Sequence, residues 1–527
     1  MIRNIELYLS LEEATVDATI QKAAAAFLAI DEEQINGVRV RKRSIDARSS
    51  SIKAHLHCDV FIQEEMPPLE HFMPVLKDVS KAMRVLVVGA GPAGLFAALK
   101  LIELGLKPIV IERGKDVRAR RHDLAAINKK QTVNPESNYC FGEGGAGTYS
   151  DGKLYTRATK RGDVERILNI FVAHGANADI TVEAHPHIGT NKLPKIIEAM
   201  RHTILNAGGE ICFDTKLVGF LKKGTRIHGC KAVAVDNPEL LGDIDAKAVI
   251  LATGHSARDV FQLLHQEGIR IDSKPFALGL RIEHPQELID TIRYRCETRP
   301  SLLPPASYAL THQVDGRGVY SFCMCPGGFI VPAATAPGEL VVNGMSPSRR
   351  NSRFANSGMV VSVEHEDVVA FQKEGPLAFL AFQQMVEQRA CAAGGGTQVA
   401  PAQRMTDFVA GRISSSLPQT SYQPGLQPAA LDEVLPAFIA TRLKEGFKVF
   451  GKKMKGYLTE DALLVGVESR TSSPVRIPRD KEQLMHPDWQ GLFPCGEGAG
   501  YAGGIVSAAM DGERCAEKCF EYIRSLN

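Results

Sequence analysis

Residues 84–114, RVLVVGAGPAGLFAALKLIELGLKPIVIERG, constrain the fold of this chain most strongly. An apolar strand leads into Gly89, Gly91 and Gly94 at GxGxxG spacing, and an Ala/Leu-rich helix and a second apolar strand follow. In such a unit the three glycines make the turn, admit a pyrophosphate to the backbone and let the helix pack on the strand, while the helix N-terminus faces the phosphates. Glu112 ends the second strand, where an acid accepts ribose hydroxyls and repels a 2′-phosphate. The sequence therefore predicts a dinucleotide site that disfavours NADP.

The bulk composition is that of an ordinary globular protein. The chain has 527 residues, of which 44% are hydrophobic and 23% charged, and this length predicts about two to four domains. A net charge of +2 gives no general case for a nucleic-acid or anionic-membrane partner, and no apolar run approaches the roughly 20 residues that span a bilayer. The N-terminal residues lack a signal-peptide core, and the eleven cysteines include no CxxC pair. We therefore expect reduced thiols, a cytoplasmic location and no membrane contact.

The residues before the glycine turn predict a small α+β module over residues 1–82. Its expected elements are a strand (2–9), a helix (12–28), two strands (38–44 and 52–62) and a second helix near 69–79, in a ferredoxin-like layout. Residues 39–53 carry six Lys or Arg against one acid, Asp46. Such a segment either faces RNA or an acidic partner, or is a charged edge hairpin protected from aggregation. The sequence favours the second interpretation.

Two further glycine-bearing segments lie far from the first in sequence. One strand ends at Gly254, and residues 496–504 precede the last helix. FAD is a ligand that needs all three glycine-bearing segments. Its pyrophosphate is expected on the first turn, and Glu497 is expected to reach its ribityl and phosphate region. The helix beginning near Ile505 directs its positive end at the flavin pyrimidine, where it stabilises the reduced anion. The sequence thus predicts non-covalently bound FAD.

The positions of these segments, together with the N-terminal module, predict that the chain has three parts. Residues 83–274 and 485–527 form a discontinuous α/β, Rossmann-like FAD-binding domain, and residues 275–484 form an inserted mixed α+β substrate domain. Within the first part, a second glycine-rich stretch at 138–157 cannot form a stable helix or strand interior, and it predicts a loop that presents backbone N–H groups to an anion.

Several motifs together resemble a known family. The segments FGEGGAGTYSDGKL, ATGHSARD, SFCMCPGG, VGVESRTSSPVRI and GEGAGYAGGI are similar to those of a bacterial "FAD-dependent dehydrogenase" family of unassigned substrate, within the glutathione-reductase-type flavoproteins. The resemblance covers nearly the whole chain and implies FAD binding and oxidoreductase activity. Together with the glycine units, it assigns FAD contacts to Gly89, Gly91, Pro92, Ala93, Gly94, Glu112, Arg113, Gly144, Gly145, Gly147, Thr148, Leu217, Thr253, Gly254, Gly496, Glu497, Gly503, Gly504 and Ile505.

Three residues are candidates for catalysis. His255 follows the Gly254 turn and is placed for proton transfer, although a structural histidine fits as well. Lys153 is a candidate to hold the flavin or a substrate carboxylate. Cys325 forms a CxC pair with Cys323 and is a candidate redox thiol, with buried structural cysteines as the favoured alternative. No metal site is predicted, because the HxH pair at His185 lacks a matching cluster.

These observations predict hydride transfer between an unidentified small-molecule substrate and FAD. No second dinucleotide-binding fold is predicted for the chain, so NAD(P)H enters at most as a transient electron donor. One alternative is an RNA-modifying flavoprotein whose basic N-terminal module docks tRNA. Another is a flavin-bound redox sensor or interaction protein without turnover. The sequence indicates no oligomeric state.

Overall fold

The N-terminal module is a three-stranded antiparallel sheet with one helix packed on it. The computed structural model describes residues 1–49, 51–68, 72 and 74–526. The module consists of β1 (Ile2–Leu9), α1 (Asp17–Leu28), β2 (Ile35–Asp46) and β3 (Lys53–Ile62), in the sheet order β1-β3-β2. Alternate residues of the strands, such as Leu7, Leu56 and Val60, are buried in one cluster with Ile20 and Ala24 of α1. This is the period expected of strands with one solvated face.

The topology of this module is a split βαβ unit. Both β1 and β2 pair antiparallel with β3, so they run parallel to each other with α1 as their connection. The prediction of a second helix at 69–79 is wrong for residues 72 and 74–79, which are not helical, while residues 69–71 and 73 lie outside the described residues. Pro74 accounts for the difference, because proline lacks a backbone donor and clashes with the preceding helical turn.

A parallel sheet with helices around it follows the module. Strands β4, β5, β6 and β10 pair side by side in parallel, and β7, β8 and β9 form a separate antiparallel sheet. In chain order the elements are β4 (Arg84–Val88), α2 (Pro92–Leu104), β5 (Lys107–Ile111), α3 (Arg120–Lys130), α4 (Gly145–Thr148), α5 (Val164–Ala173), α6 (Leu193–Asn206), β6 (Glu210–Cys212), β7 (Thr215–Lys223), β8 (Arg226–Ala234), β9 (Asn237–Asp245), β10 (Val249–Leu251) and α7 (Arg258–Gln266).

Residues 272–476 are built around a seven-stranded sheet in the order β13-β14-β17-β12-β20-β18-β19. All its neighbouring strands are antiparallel except β18 and β19, and β15-β16 and β11-β21 form two-stranded sheets. The elements are β11 (Asp272–Ser273), β12 (Phe276–Pro285), α8 (Gln286–Tyr294), β13 (Thr311–Val314), β14 (Arg317–Cys325), β15 (Phe329–Pro332), β16 (Val342–Met345), β17 (Phe354–Val363), α9 (Ala378–Ala393), β18 (Ala400–Arg404), α10 (Met405–Ala410), β19 (Leu426–Pro428), α11 (Leu431–Val434), α12 (Ala437–Lys453), β20 (Leu463–Glu468) and β21 (Val475–Arg476). Short 3₁₀ helices lie at Glu13–Thr15, Glu32–Gln34, Thr159–Arg161 and Ala178–Thr181, and the segment His365–Leu377 contains 3₁₀ turns interrupted by a kink.

The end of the chain returns to the parallel sheet. Strand β22 (Leu492–Pro494) pairs in parallel with β10 and completes the order β22-β10-β4-β5-β6. Helix α13 (Ile505–Ser525) then packs closely on α2, since a Cβ on Gly512 would lie 2.1 Å from the Ala93 carbonyl oxygen. Among the described residues, no helix combines the length and apolarity needed to cross a bilayer.

Backbone hydrogen bonds join the N-terminal module to the parallel-sheet region. The Arg43 N–H donates to the Val182 carbonyl at 2.8 Å, and the Ala184 N–H donates to the Arg43 carbonyl at 2.9 Å. The Arg43 guanidinium also lies 3.6 Å from the Glu183 carboxylate. These contacts fix the basic strand β2 beside residues 182–184.

Candidate cofactor-binding and active site

A cavity of about 400 Å³ lies between the parallel sheet and the seven-stranded sheet. The carboxyl ends of β4, β5 and β10 and the N-termini of α2 and α13 line one side, and β14 and β20 line the other. Ligands of parallel α/β sheets bind at this end of the strands. The predicted residues that line the cavity are Gly89, Gly91, Pro92, Ala93, Glu112, Arg113, Gly145, Gly147, Lys153, Leu217, Thr253, Gly254, His255, Glu497, Gly503, Gly504 and Ile505.

Other predicted residues do not line this cavity, namely Gly94, Gly144, Thr148, Gly496 and Cys325. Their contacts hold the surrounding backbone. The Thr148 hydroxyl donates to the Glu143 carbonyl at 3.0 Å, and the Gly496 N–H donates to Asp511 Oδ2 at 2.8 Å. Asp511 is in turn paired with Arg479 at 2.6 Å. These residues therefore support the backbone around the cavity without lining it.

Two helix N-termini open into the cavity. Gly91 precedes α2 and Gly504 precedes α13, and neither helix start has a side-chain cap. A Cβ on Gly91 would meet its nearest atom, Gly145 Cα, at 3.9 Å, and a Cβ on Gly254 or Gly504 would meet none within 4 Å. The glycines therefore leave room for a ligand where the free N–H groups and helix dipoles favour negative charge.

Glu112 joins three backbone segments at the edge of the cavity. Its Oε2 accepts from the Ala90 N–H, and its Oε1 accepts from the N–H groups of Gly114 and Gly142, each at 2.9 Å. The side chain is 6% exposed. A carboxylate has about four acceptor positions, so Glu112 can hold the loops and still accept from a ribose hydroxyl.

The buried Arg120 organises the second glycine-rich loop. Its guanidinium donates to the carbonyls of Asn138, Glu143 and Gly145 at 2.8 to 3.0 Å, and burial lowers the pKa of this fully enclosed side chain. Since Arg120 lies before the loop in a segment of many charges, no sequence signal distinguished it. The result is a firmly held loop that places Gly145 and Gly147 at the cavity.

Lys153 extends from this loop to the opposite wall. Its ammonium group donates to the Met324 carbonyl and lies 4.0 Å from Cys323 Sγ and 3.6 Å from Asp151. Burial opposes ionisation of Asp151, but the charges of Lys153 and Arg350 outweigh it and lower the pKa of that carboxyl. The lysine thus carries a positive charge into the cavity.

The two thiols of the CxC pair lie in different places, one at the cavity and one in the core. Cys323 lines the cavity, whereas Cys325 is fully buried beside Arg281, whose guanidinium lies 3.5 Å from Cys325 Sγ. An undistorted strand would direct both side chains to one face. Strand β14 instead has a bulge here, because Phe322 pairs with Gly358 while Cys325 pairs with Asn356.

Glu468 is a site residue that is not among the candidates predicted from the sequence, although it belongs to the motif VGVESRTSSPVRI. It lines the cavity at 2% exposure and accepts from Arg281 at 2.7 Å. Burial raises the pKa of Glu468 to about 7, against the opposing charge of Arg281. A carboxyl that titrates near neutrality can accept or donate a proton.

His255 lies at the cavity with both ring nitrogens engaged. Nε2 donates to the Arg470 carbonyl at 3.1 Å, so in the neutral ring Nδ1 accepts from the Ser256 hydroxyl at 3.4 Å. The two histidines of the HxH pair have other contacts: His187 hydrogen-bonds to the Ser348 carbonyl at 3.1 Å, and the His185 ring lies at 60° to the Tyr155 ring. His255 therefore has the contacts of a positioning residue.

A second, larger cavity of about 1520 Å³ is lined by residues of the N-terminal module, of the segment 177–192 and of the segment 292–307. Ten Lys or Arg and three acids line it. Tyr155, which lines the first cavity, contacts His185, which lines the second, with ring centroids 5.0 Å apart and ring planes at 60°. These two side chains thus lie between the strongly basic groove and the first cavity.

The donor set of the first cavity fits FAD. The open N-termini of α2 and α13 suit phosphate and the flavin pyrimidine, Glu112 suits ribose, and Gly254 and Gly504 leave space that a Cβ would fill.

Comparison with known proteins supports the same cofactor. An "FAD binding domain" family matches residues 82–254, a family of "FAD-dependent protein, C-terminal domain-like" matches residues 275–471, and a domain of unknown function matches residues 1–61. An uncharacterized protein of Clostridium beijerinckii is 41% identical over 542 residues, covering 99% of this chain and 98% of that protein.

Solved flavoprotein structures give a distant likeness. A flavoprotein/dehydrogenase of Cytophaga hutchinsonii is 11% identical, with a TM-score of 0.37 over 84% of this chain and 79% of that one. A geranylgeranyl bacteriochlorophyll reductase-like protein of Thermoplasma acidophilum is 15% identical, with a TM-score of 0.34 over the same shares. The identity with the Clostridium protein over nearly the full length is the stronger finding. This chain belongs to the family of that protein and carries the FAD-binding domain of FAD-dependent proteins.

Proposed function

We propose that this protein is an FAD-dependent oxidoreductase of the glutathione-reductase-type flavoproteins, in which a substrate exchanges a hydride with non-covalently bound FAD. The observation that carries the proposal is one cavity that joins the FAD-binding residues to Lys153, Cys323 and Glu468. Bound FAD supplies a two-electron acceptor. The chain supplies groups that bind, orient and exchange protons beside it.

The proposed binding mode follows the geometry of the cavity. The free N–H groups of α2 near Gly91 would hold the pyrophosphate, Glu112 would accept from the adenosine ribose, and Leu217 would contact the adenine edge. Glu497 would hold the ribityl chain, and the N-terminus of α13 would hold the pyrimidine. The positive end of that helix favours the anionic reduced flavin.

Proton transfer is assigned to Glu468. When a C–H bond beside an alcohol or amine gives up a hydride, the O–H or N–H proton needs an acceptor. A pKa of about 7 lets Glu468 take that proton near neutral pH. Lys153 is placed to bind an anionic group of the substrate on the same wall.

The basic groove favours an anionic substrate. Among the described residues, Lys192, Arg293, Arg295, Arg349 and Lys455 line the groove without an ion-pair partner. Unpaired cations raise the local concentration of anions and speed their association. The substrates we propose are therefore carboxylate- or phosphate-bearing donors, such as hydroxy acids or acidic amines.

The test is anaerobic spectrophotometry of the purified protein during addition of NADH, NADPH and then hydroxy acids and amines. Bleaching of the flavin band near about 450 nm by a donor supports the oxidoreductase. Bleaching by a reduced nicotinamide makes the physiological substrate an oxidant, with NAD(P)H as a transient donor. Tightly held FAD that no donor reduces contradicts turnover and favours a redox-sensing or interaction protein. A protein that takes up no FAD overturns the proposal.

The second candidate function is FAD-dependent RNA modification, which the size and charge of the groove favour. In this case tRNA would bind between the N-terminal module and residues 292–307, with Arg295 and Lys455 at phosphates. The double variant Arg295→Glu/Lys455→Glu should then weaken RNA binding and reduce its salt dependence. The matched control is Lys223→Glu/Lys231→Glu, because these exposed lysines lie outside both the groove and the N-terminal module. Equal binding by all three proteins removes this candidate.

A further inference from the structure

We propose that Cys323 and Cys325 form a redox-active dithiol that exchanges two electrons with the flavin, with Cys323 as the thiolate at the cavity. This inference rests on the proposed FAD site. It adds a second redox centre to that site and assigns a separate role to each cysteine.

The backbone directs Cys323 toward the cavity. Its φ of +44° lies in the left-handed region, which non-glycine residues seldom adopt, and it falls within the bulge of β14. Bulges occur next to active sites, where they redirect a side chain, and such φ values cluster at functional positions. The bulge separates Cys323, which lines the cavity, from Cys325, which is enclosed behind it.

Cys325 stays next to Cys323 despite the bulge. The Cys325 thiol donates to the Cys323 carbonyl oxygen at 3.3 Å, and only Met324 separates the two residues in sequence. The same guanidinium, that of Arg281, contacts both the Cys323 carbonyl and Cys325 Sγ.

Positive charge surrounds the pair. Lys153 Nζ lies 4.0 Å from Cys323 Sγ, and Arg281 donates to the Cys323 carbonyl at 2.7 Å while lying 3.5 Å from Cys325 Sγ. The hydrogen bond from Cys325, followed by the charges of Lys153 and Arg281, holds the pKa of Cys323 well below its usual value against burial and the charge of Asp151. Glu468 faces the group through its ion pair with Arg281.

Other cysteines lack this combination. Burial raises the pKa of Cys519 and Cys230, the latter to about 12, so these thiols stay protonated. Cys140 lines the same cavity but contacts neutral groups, the Ser256 hydroxyl at 3.4 Å and the Ala333 carbonyl at 4.0 Å. It therefore serves as the matched comparison for Cys323.

The proposed step balances in atoms and charge. The Cys323 thiolate and the Cys325 thiol give up two electrons and form an S–S bond, and the S–H bond of Cys325 breaks. The oxidised flavin takes both electrons and the proton, becoming the anionic reduced form. In reverse, the same step opens the disulfide. An external dithiol such as dithiothreitol restores the thiols by thiol–disulfide exchange.

The first test measures thiolate reactivity and needs no flavin. Full-length protein is treated with iodoacetamide from about pH 5 to about pH 9, and peptide mass spectrometry follows each cysteine. Cys323 should stay reactive far below the pH of about 8.5 at which an ordinary thiol ionises. Lys153→Gln should raise its half-reaction pH and Lys153→Arg should restore it. A Cys323 that reacts like Cys140, or a Lys153→Gln variant without a shift, overturns the thiolate assignment.

The second test measures electron exchange in the FAD-loaded protein under anaerobic conditions. Dithiothreitol should bleach the flavin of the wild type and of Cys140→Ser at equal rates. Cys323→Ser and Cys325→Ser should each bleach at least about tenfold more slowly. Equal rates in all four proteins overturn the dithiol proposal. Flavin content is read from each sample beforehand, so a failure to bind FAD is distinguished from a failure of the thiols.

Discussion

At the scale of single residues, Glu112 combines a structural and a binding role. Its two carboxylate oxygens accept three backbone N–H groups from the glycine turn and two neighbouring loops. These three contacts are buried. An unsatisfied buried donor costs about 1–3 kcal/mol. The fold around the cavity therefore depends on the same acid that is expected to bind ribose.

Glu112→Gln should destabilise the protein and weaken FAD binding together. The amide retains one acceptor oxygen but places an NH₂ group against a backbone N–H, so we expect a loss of about 1–3 kcal/mol in the free energy of unfolding. Urea denaturation of the FAD-free protein and FAD titration measure the two effects. Glu165→Gln, on the exposed face of α5, is the control and should change neither. An unchanged urea midpoint would show that the three contacts contribute nothing.

A second residue-scale prediction concerns Glu468 and pH. Because burial raises its folded pKa to about 7, the native state retains a proton that the unfolded state loses near pH 4.3. Stability should therefore fall as pH rises from about 4.5 through about 7, by about 3 kcal/mol from this group. Glu468→Gln removes this titrating group. The difference in unfolding free energy between variant and wild type should therefore change by about 3 kcal/mol between pH values of about 4.5 and about 7. Parallel curves for the two proteins would contradict the raised pKa.

At the scale of elements, one glycine of the β4–α2 unit serves helix packing and another serves cofactor binding. A Cβ on Gly94 would lie 1.9 Å from the Gly89 carbonyl oxygen, whereas a Cβ on Gly91 would meet Gly145 Cα at 3.9 Å. The first contact is a backbone clash and the second is ordinary van der Waals distance. Two glycines of one motif therefore have different physical roles.

The paired substitutions Gly94→Ala and Gly91→Ala should give opposite results. Gly94→Ala should push α2 away from the sheet and lower the thermal midpoint of the FAD-free protein, with several kcal/mol lost as in other overpacked cores. Gly91→Ala should leave that midpoint unchanged and reduce FAD affinity at least about tenfold, because its methyl group occupies the pyrophosphate position. Thermal unfolding without FAD and FAD titration distinguish them. Equal effects of the two variants on the thermal midpoint of the FAD-free protein would show that the two glycines do not have different roles.

At the scale of the whole molecule, the cavity closes only when the two ends of the FAD-binding region meet. Strand β22 joins β10, and α13 packs on α2 with its N-terminus at the cavity. The glycine turn, the Gly254 turn and the segment before α13 are distant in sequence and adjacent in the fold. A ligand there contacts all three segments.

FAD addition should accordingly protect three separate segments at once. Hydrogen–deuterium exchange should slow in residues 89–94, 252–257 and 496–508 together, while β13, which does not line the cavity, stays unchanged. At 100 times its dissociation constant, FAD should also add about 2.7 kcal/mol of stability. Removing FAD by dialysis should reverse both changes. Protection confined to the first segment would show that bound FAD does not contact the Gly254 turn or the segment before α13.

The FAD-binding half of the site could be predicted from the sequence because its parts are local. Gly89, Gly91 and Glu112 belong to one strand–turn–helix–strand unit, whose geometry follows from backbone sterics over a short stretch. The match of residues 82–254 to an FAD-binding domain family agrees with that prediction. Other predictions were less accurate. The helix expected at 69–79 did not take Pro74 into account. The contact of His255 with the Arg470 carbonyl depends on a residue far away in sequence and could not be predicted.

The sequence by itself determined the cofactor class, since phosphates and ribose impose a fixed spacing on a continuous segment. Only the tertiary structure decided which groups face that cofactor. Arg281 and Glu468 are 187 residues apart and meet in the core, and the bulge at Cys323 depends on how β14 pairs with β17. The raised pKa of Glu468 depends on burial, which no local pattern encodes. The substrate-facing wall is therefore a product of long-range packing, and the phosphate-facing wall is a product of local backbone geometry.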